Sequence, residues 1–338
     1  MAYMRNVHGL LLVVVLLAVD SLWPQTLQQL QPIIDMHLHA HTLKMYGTPP
    51  PAVCTNDQDI VFPAWDQRRP LTLAGGLKAC RAPLNAPTTD EELMSQTLGI
   101  LKQYEIRAVT TGPLEQVTKW HAAAPDRIIP AIPFDDYDKR DPVAFRRLFK
   151  QGKFAVFAEI SVQYNGQSPS DTSLEPYFAL AEELDIPVGI HMGEGPPGAS
   201  YVWSPKYRAR LTSPFQIEEL LIRHPRLRVY VMHYGSPLVD EMLSMLYSHP
   251  QLYVDVACND WSLPRKEFHN HLRRLVEAGF GKRIMFGSDQ MAWPQTIKVA
   301  IESIEEAEFL TQQQKRDIFY NNAARFLRLD EKPNSQEK

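Results

Sequence analysis

The chain has 338 residues, 44% of them hydrophobic and 22% charged, and its formal net charge is −4. This composition is typical of a globular protein, and the length suffices for one α/β barrel or two ordinary domains. A core of this size is stable without disulfides or structural metal ions. The sequence shows no basic stripe, which argues against nucleic acid as a partner.

The first 24 residues differ in character from the rest of the chain. Arg5 precedes an apolar run from Gly9 to Val19, which is too short to span a bilayer comfortably but suits the core of a signal peptide. We therefore predict a cleaved signal peptide over residues 1–24, with a cut after Ser21 as one candidate. The mature protein is expected to be exported, periplasmic or secreted, without stable membrane insertion. An uncleaved membrane anchor or a buried strand is the alternative.

The chain has three cysteines. Cys54 and Cys80 lie in one proline-rich segment without a regular pattern, so in an oxidising compartment they can pair. Cys258 would then remain outside the disulfide. No C-x-x-C pair occurs, which argues against a zinc site built from thiolates.

From residue 88 onwards, strand and helix patterns alternate along the chain. Together with the apolar run before His37, they give eight short strands, each followed by a helix or a longer segment. This order predicts a (β/α)₈ TIM barrel over residues 30–330, with a polar tail at 331–338. An open doubly wound sheet is the alternative, although no Gly-rich phosphate turn follows the first strand. The strands are predicted at 33–39, 106–112, 127–134, 154–160, 186–192, 227–233, 252–258 and 283–289. The helices are predicted at 88–104, 114–124, 141–152, 173–185, 213–225, 237–249, 265–280 and about 295–329.

Two segments interrupt this rhythm. The segment of residues 42–87 follows the first strand and is longer than a simple connecting loop. Residues 193–213 follow the fifth strand. In a barrel both insertions would lie over the end that carries the catalytic groups.

Polar residues occur where the predicted strands end, after apolar stretches. Side chains two apart on a strand share a face, so we expect Asp35, His37 and His39 on one side and Met36 and Leu38 on the other. Burying such groups without partners would cost several kcal/mol each, by a rough estimate. A metal ion is the simplest common partner. The predicted ligands are His37, His39, Glu159, His191, His233 and Asp289.

Imidazole nitrogens and carboxylates are the ligands that Zn²⁺ and similar cations select. We expect one or two divalent ions, with Zn²⁺ as the first choice. Glu159 could bridge two ions, and Asp289 could bind the first ion and also accept a proton from its water. Asp255 could orient a ligand histidine or act as a buried structural acid.

The segments IIDMHLHAH, FAEI, GIHMG, VMHYG and MFGSD resemble the amidohydrolase superfamily of metal-dependent TIM-barrel hydrolases. The nearest branch by resemblance is the amidohydrolase-related group that includes aminocarboxymuconate-semialdehyde decarboxylase-like proteins. The resemblance implies that His37, His39 and Asp289 hold one metal. It also implies that His191 and His233 hold a second one or help to bind substrate. Many members bridge two metals with a carboxylated lysine, where this chain has Glu159. Glu159 could bridge in its place, as a glutamate does in some members, or lie outside a single-metal site.

The leading function is a metal-dependent hydrolase of a small ester, lactone, amide or phosphoester. A decarboxylase on the same scaffold is the alternative, and a binding protein without catalysis is a third reading that the complete ligand set argues against. Aromatic and basic residues of the second insertion are candidates for substrate binding, and solvated loop residues are the other interpretation. These candidates are Tyr201, Trp203, Tyr207, Arg208 and Arg210. The expected partner is a small molecule, and a homo-oligomer stays open.

Overall fold

The computed structural model describes residues 31–62, 64–71, 79–134 and 141–329. The predicted signal peptide and the polar tail lie outside these residues. Eight parallel strands pair in sequence order. This arrangement, with helices around it, is the predicted (β/α)₈ barrel. The strands are β1 Ile33–His39, β2 Ile106–Thr111, β3 Ile128–Phe134, β4 Val156–Ile160, β5 Val188–His191, β6 Val229–Met232, β7 Tyr253–Asp255 and β8 Ile284–Met285.

The ring is completed by backbone hydrogen bonds between β1 and the residues that follow β8. The amide of Met36 donates to the carbonyl of Phe286 (2.9 Å), and the amide of His39 donates to the carbonyl of Gln290 (3.1 Å). The amide of Asp289 donates to the carbonyl of His37 (2.7 Å). We call this contact the β8–β1 seam, and three of the predicted metal ligands, His37, His39 and Asp289, take part in it.

The helices follow the strands at nearly the predicted positions. Their starts carry clear signals: Thr89 and Asp141 cap α1 and α3 through their side chains. The helices are α1 Asp90–Gln103, α2 Leu114–Ala123, α3 Pro142–Lys150, α4 Glu175–Glu183, α5 Ala199–Val202, α6 Glu218–Arg223, α7 Val239–Ser248, α8 Asn259–Ser262, α9 Arg265–Leu275, α10 Thr296–Glu305, α11 Gln312–Arg316 and α12 Asn322–Leu327.

The prediction of one long helix over about 295–329 is wrong. α10 ends at Glu305, and a new helix begins after Thr311. The Thr311 side chain accepts from the amide of Gln314, and the Gln314 side chain accepts from the amide of Thr311, so this capping box starts a new helix. No helix within the described residues is both long enough and apolar enough to cross a membrane.

Two apolar clusters pack against the strands, one on each side. The larger one lies between the strands and the helices. The smaller one gathers side chains from six strands and from α12, so it fills the barrel interior. Its members include Ile34 and Met36, whereas Leu38 belongs to the larger cluster. The strict alternation predicted over 35–39 is therefore wrong at Met36. The pairing of β1 with β2 shifts register between Asp35 and Leu38, and such an irregularity changes which side chains face inward.

Residues 40–89, between β1 and α1, contain a short 3₁₀ turn and two isolated antiparallel bridges, Val53 with Leu84 and Val61 with Ala79. A disulfide joins Cys54 to Cys80, as predicted. The segment contacts the loops that follow three strands. Pro51 accepts a hydrogen bond from Trp293 (3.0 Å), Asn56 donates to the carbonyl of Asp260 (2.8 Å), and Trp65 packs on Tyr201 with ring centroids 6.0 Å apart.

Candidate metal centre

The six predicted ligands lie together at the carboxyl end of the barrel. His37 and His39 are on β1, Glu159 is on β4 and His191 ends β5. His233 directly follows β6, and Asp289 follows β8. The four histidines and Asp289 are buried, with 0–7% of each residue exposed. All strands of a parallel barrel have their carboxyl ends on the same face, which brings side chains from distant parts of the sequence into one group.

The first half of the cluster consists of His37, His39 and Asp289. The Nε2 atoms of the two histidines are 3.2 Å apart. Oδ1 of Asp289 lies 2.9 Å from Nε2 of His39 and 3.5 Å from Nε2 of His37. Two ligand atoms of a tetrahedral zinc ion, with bonds of about 2.0–2.1 Å, would be separated by about 3.3 Å. These three atoms therefore have the spacing that a common ion requires.

The second half consists of His191 and His233. Nδ1 of His191 lies 3.3 Å from Nε2 of His233 and contacts Oε1 of Glu159. The other oxygen of Glu159, Oε2, lies 3.6 Å from Nε2 of His39 and 3.7 Å from Nε2 of His37. One carboxylate thus contacts both halves, which is the arrangement that bridging requires. Three overlapping groups could each hold an ion. Two share Glu159, one with His37 and His39 and the other with His191 and His233, and the third joins His37, His233 and Asp255.

Three of the histidines use Nδ1 for a contact outside the cluster and point Nε2 into it. Such a contact places the ring proton on Nδ1 and leaves Nε2 able to bind a metal. The partners are Asp255 for His37 (3.4 Å), the Thr111 hydroxyl for His39 (2.8 Å) and the Ala257 carbonyl for His233 (2.9 Å). Asp255 also accepts from the amide of His233 (2.7 Å), so it contacts two predicted ligands, and its role in orienting them stays a prediction.

The charges of the centre are strongly unbalanced. Among the described residues, every ion pair of the acids named below is with a histidine, and none is with lysine or arginine. Buried carboxylates without compensating charge are costly, so the group favours a cation. A divalent metal ion would supply that charge. The acids are Glu159, Asp255 and Asp289.

The same imbalance affects the pKa values. Burial alone would lower the pKa of His37, but Asp289, Asp255 and Glu159 hold it well above the ordinary imidazole value. The pKa of Asp289 is lowered to about 2, because His37 and His39 outweigh the effect of burial, which would raise it. The pKa of His233 is lowered to about 4 by burial and by the neighbouring His191 and His37. His233 is thus neutral, as a metal ligand has to be, and Asp289 is ionised.

Two further carboxylates lie behind the ligands. Asp35 accepts from the amide (2.9 Å) and hydroxyl (2.6 Å) of Ser288 and from the amide of His37 (2.9 Å). Burial raises its pKa to about 6 despite these bonds. Asp260 is fully buried, and its pKa is raised well above the usual value by burial and by Asp35, Asp255 and Asp289. Asp35 therefore fixes the seam beside the ligands through Ser288.

Aromatic side chains form one wall of the centre. The hydroxyl of Tyr164 lies 3.3 Å from Nε2 of His191, and its ring packs on Trp203 and Tyr207 with centroids 5.2 Å and 5.5 Å apart. On the other side, His41 stacks on His39 at 4.3 Å and contacts the hydroxyl of Tyr46. Aromatic rings therefore flank the centre at both His191 and His39.

The predicted substrate-binding residues occupy different places. Trp203 reaches the centre indirectly, through Tyr164. Tyr201 is 76% exposed and packs on Trp65. Arg208 donates to the backbone carbonyls of Pro205 and Tyr207. No contact among the described residues joins Tyr201, Arg208 or Arg210 to the ligand cluster, so their role in substrate binding stays a prediction.

Sequence reasoning missed Tyr164, Thr111 and the pair of His41 with Tyr46. Thr111 could have been identified from the sequence, because it is a polar residue at the end of the predicted strand next to β1. Tyr164 had only a weak one, its position five residues after Glu159, because the 3₁₀ turn at Val162–Asn165 that directs its ring toward His191 has no clear sequence pattern.

Comparison with known proteins identifies the family of this chain. The family model described as Amidohydrolase matches residues 34–329. No curated protein sequence matches this chain.

Solved structures share the fold at low sequence identity. An uncharacterized TIM-barrel protein from Bordetella bronchiseptica is 18% identical, with 72% of this chain and 86% of that chain covered and a TM-score of 0.57. A probable 2-pyrone-4,6-dicarboxylic acid hydrolase from Acinetobacter baumannii, with citric acid bound, is 15% identical, with 88% and 99% covered and a TM-score of 0.56. The 5-carboxyvanillate decarboxylase from Sphingomonas paucimobilis is 14% identical, with 88% and 99% covered and a TM-score of 0.53. The family match spans nearly the whole described barrel and all six converging ligands, and the chain belongs to the amidohydrolase family.

Proposed function

We propose that this chain is a metal-dependent hydrolase of a small ester, lactone, amide or phosphoester. The observation that carries the proposal is the convergence of four histidines and two carboxylates, none of which has a lysine or arginine partner among the described residues. Family membership is consistent with it. Its expected cofactor is one or two divalent ions, with Zn²⁺ as the first choice for this ligand set.

The chain offers two positions for such ions. His37, His39 and Asp289 would hold one, and His191 and His233 the other, with Glu159 shared between them. A bound ion would lower the pKa of water to about 7 and polarise the bond to be cleaved. In a site with a single ion, His191 and His233 would contact the substrate.

Asp289 is the residue best placed to move a proton. It is ionised, with a pKa of about 2, and its Oδ1 faces the histidine pair of β1. Its backbone is fixed by the bond from its amide to the carbonyl of His37. The carboxylate can accept a proton from an attacking water and pass it to the leaving group. One carboxylate oxygen of Asp289 would thus carry the proton from the water to the leaving group.

Decarboxylation is a second candidate, supported by the aromatic wall of Tyr164, Trp203 and Tyr207. One of the similar structures is a 5-carboxyvanillate decarboxylase. Against this candidate, no arginine or lysine contacts the cluster among the described residues, so a carboxylate substrate would lack the cationic partner that commonly binds it.

Metal depletion and substrate screening test the proposal. Purified protein should carry about one to two ions per chain by elemental analysis. Removing the ions with a chelator should abolish hydrolysis, and adding Zn²⁺ back should restore it. A panel of esters, lactones, amides, phosphoesters and aromatic carboxylates, followed by product and CO₂ detection, separates the two candidates. A fully active metal-free preparation would overturn both.

A further inference from the structure

We infer that Tyr164 is a positioning residue that fixes the ring of His191 and places the proton of that ring on Nε2. This inference rests on the proposed metal-dependent function. The three other histidines of the centre are oriented by Asp255, Thr111 and a backbone carbonyl. Tyr164 fills the corresponding place for His191.

His191 is turned the opposite way from the other three. It presents Nδ1 to Glu159 and His233, and directs Nε2 away from the cluster. Nδ1 can bind a metal only when it carries no proton, so the ring proton then has to be on Nε2. A hydrogen-bond acceptor at Nε2 favours this tautomer.

The hydroxyl of Tyr164 is that acceptor. It lies 3.3 Å from Nε2, and the two rings meet edge to face with centroids 5.2 Å apart. Without the hydroxyl, the proton could move to Nδ1 and the ring could rotate.

The position of Tyr164 is itself held by the loop that follows β5. Tyr207 stacks on its ring, and the amide of Gly195 donates to the Tyr207 hydroxyl (2.9 Å). A side chain at position 195 would begin only 2.9 Å from the Tyr164 ring, so glycine allows the close approach. Trp203 covers another part of the ring and is 45% exposed. The loop over the mouth is thereby linked to the orientation of His191.

Tyr164→Phe tests this inference because it removes only the hydroxyl. ¹⁵N NMR of the zinc-loaded protein reads the tautomer directly, with His191 identified by comparison with His191→Gln. At a zinc concentration that fills the site of the wild type but not of the variant, we expect the wild-type His191 to carry its proton on Nε2 and the variant to show a mixture of tautomers. Titration of metal-depleted protein should show the ion at His37 and His39 bound as before. The ion at His191 should be bound about 10- to 100-fold more weakly, the usual effect of losing such a partner.

Tyr207→Phe is the matched control. It removes a hydroxyl from the same stack and loosens the same loop, but takes no partner from His191. Its tautomer and ion affinity should equal those of the wild type. Equal defects in both variants would show that loop packing, not the Tyr164 hydroxyl, is responsible.

Unchanged ion affinity at His191 in Tyr164→Phe would overturn the inference, because a saturated zinc site holds the proton on Nε2 without help from Tyr164. If only the ion at His37 and His39 binds, His191 holds no metal and the inference fails while the proposed function stands. If the wild type binds no ion and shows no hydrolysis, the proposed function fails, and the inference fails with it because Nδ1 then faces Glu159 and His233 without a metal.

Discussion

At the scale of single residues, the carboxylates of Asp289 and Glu159 are expected to have different roles in the centre. Among the described residues, the Asp289 carboxylate forms ion pairs with the histidine pair of β1 alone, whereas Glu159 contacts both pairs. Asp289 is therefore suited to the proton, and Glu159 to holding the two halves together. Because the two acids have different contacts, matched amide substitutions can separate their roles.

Asp289→Asn keeps the size of the side chain and one ligand oxygen but cannot accept a proton. We expect most of the metal to remain and turnover to fall by roughly 10²–10⁴, the usual range for a lost general base. Metal analysis and turnover of the same preparation check this. A metal-loaded variant with near-normal turnover would mean that another group is the base.

Glu159→Gln is expected to have the complementary effect. The amide is a weaker metal ligand and cannot balance the charge of an ion, so occupancy of the position at His191 and His233 should fall. The ion at His37, His39 and Asp289 should stay. Equal loss of both ions, or of neither, would contradict the bridging role.

Much of this residue-level detail could be predicted. All six predicted ligands lie near or just after the ends of apolar strands, and their convergence follows from the barrel alone. The contact of Tyr164 with His191 could not, because it depends on a 3₁₀ turn and on a glycine in another loop. The inward position of Met36 could not either, because a register shift leaves no mark in the hydrophobic pattern.

At the scale of elements, the segment between β1 and α1 is the largest departure from a plain barrel. Its disulfide joins residues 26 apart in the sequence, and its hydrogen bonds reach α8 through Asn56 and the residues after β8 through Pro51. The described residues of the segment form a short 3₁₀ turn and two isolated bridges, so we expect these links to hold the segment in position.

Replacing Cys54 and Cys80 by serine should make this segment open more easily. Closing a loop of this length contributes about 3 kcal/mol in the chain-entropy model. We expect much faster proteolytic cleavage within 42–87, while the far-UV circular dichroism of the barrel is kept. Cys258→Ser, outside the segment, is the control and should be cleaved at the wild-type rate. Equal cleavage of all three proteins would contradict the expected role of the disulfide.

Thr311→Ala tests the break between α10 and α11. The substitution removes the side-chain acceptor for the amide of Gln314, so the free energy of unfolding should fall by about 1 kcal/mol. Thr118→Ala is the control, since that exposed hydroxyl bonds only to a carbonyl of its own helix. Chemical denaturation measures both. A loss at Thr118 as large as at Thr311 would show that the cap is not the cause.

Element order was predictable because strand and helix patterns alternate in this sequence. The lengths of the strands were less predictable. β8 has two residues where seven were predicted, and the residues after Met285 bond to β1 only at separate points of the seam. The break after α10 was missed because the apolar pattern continues through it.

At the scale of the whole molecule, the N-terminal apolar run gives a prediction about location. Protein recovered from the exported fraction should lack about the first 24 residues, as a signal peptide of this length requires. Intact-mass analysis with and without reduction should also show one disulfide. A full-length N-terminus in that fraction would contradict cleavage, and retention of the protein inside the cell would contradict export.

The β8–β1 seam has a consequence for the life of the chain. Residues 37 and 289 belong to one ligand set, yet almost the entire barrel lies between them in the sequence. Closing so long a loop is a slow and late event in folding. A growing or translocating chain therefore has no complete binding site until its last strand has emerged. The ion has to be acquired from whichever compartment the finished chain folds in, and the metal supply of that compartment would determine which ion the enzyme carries.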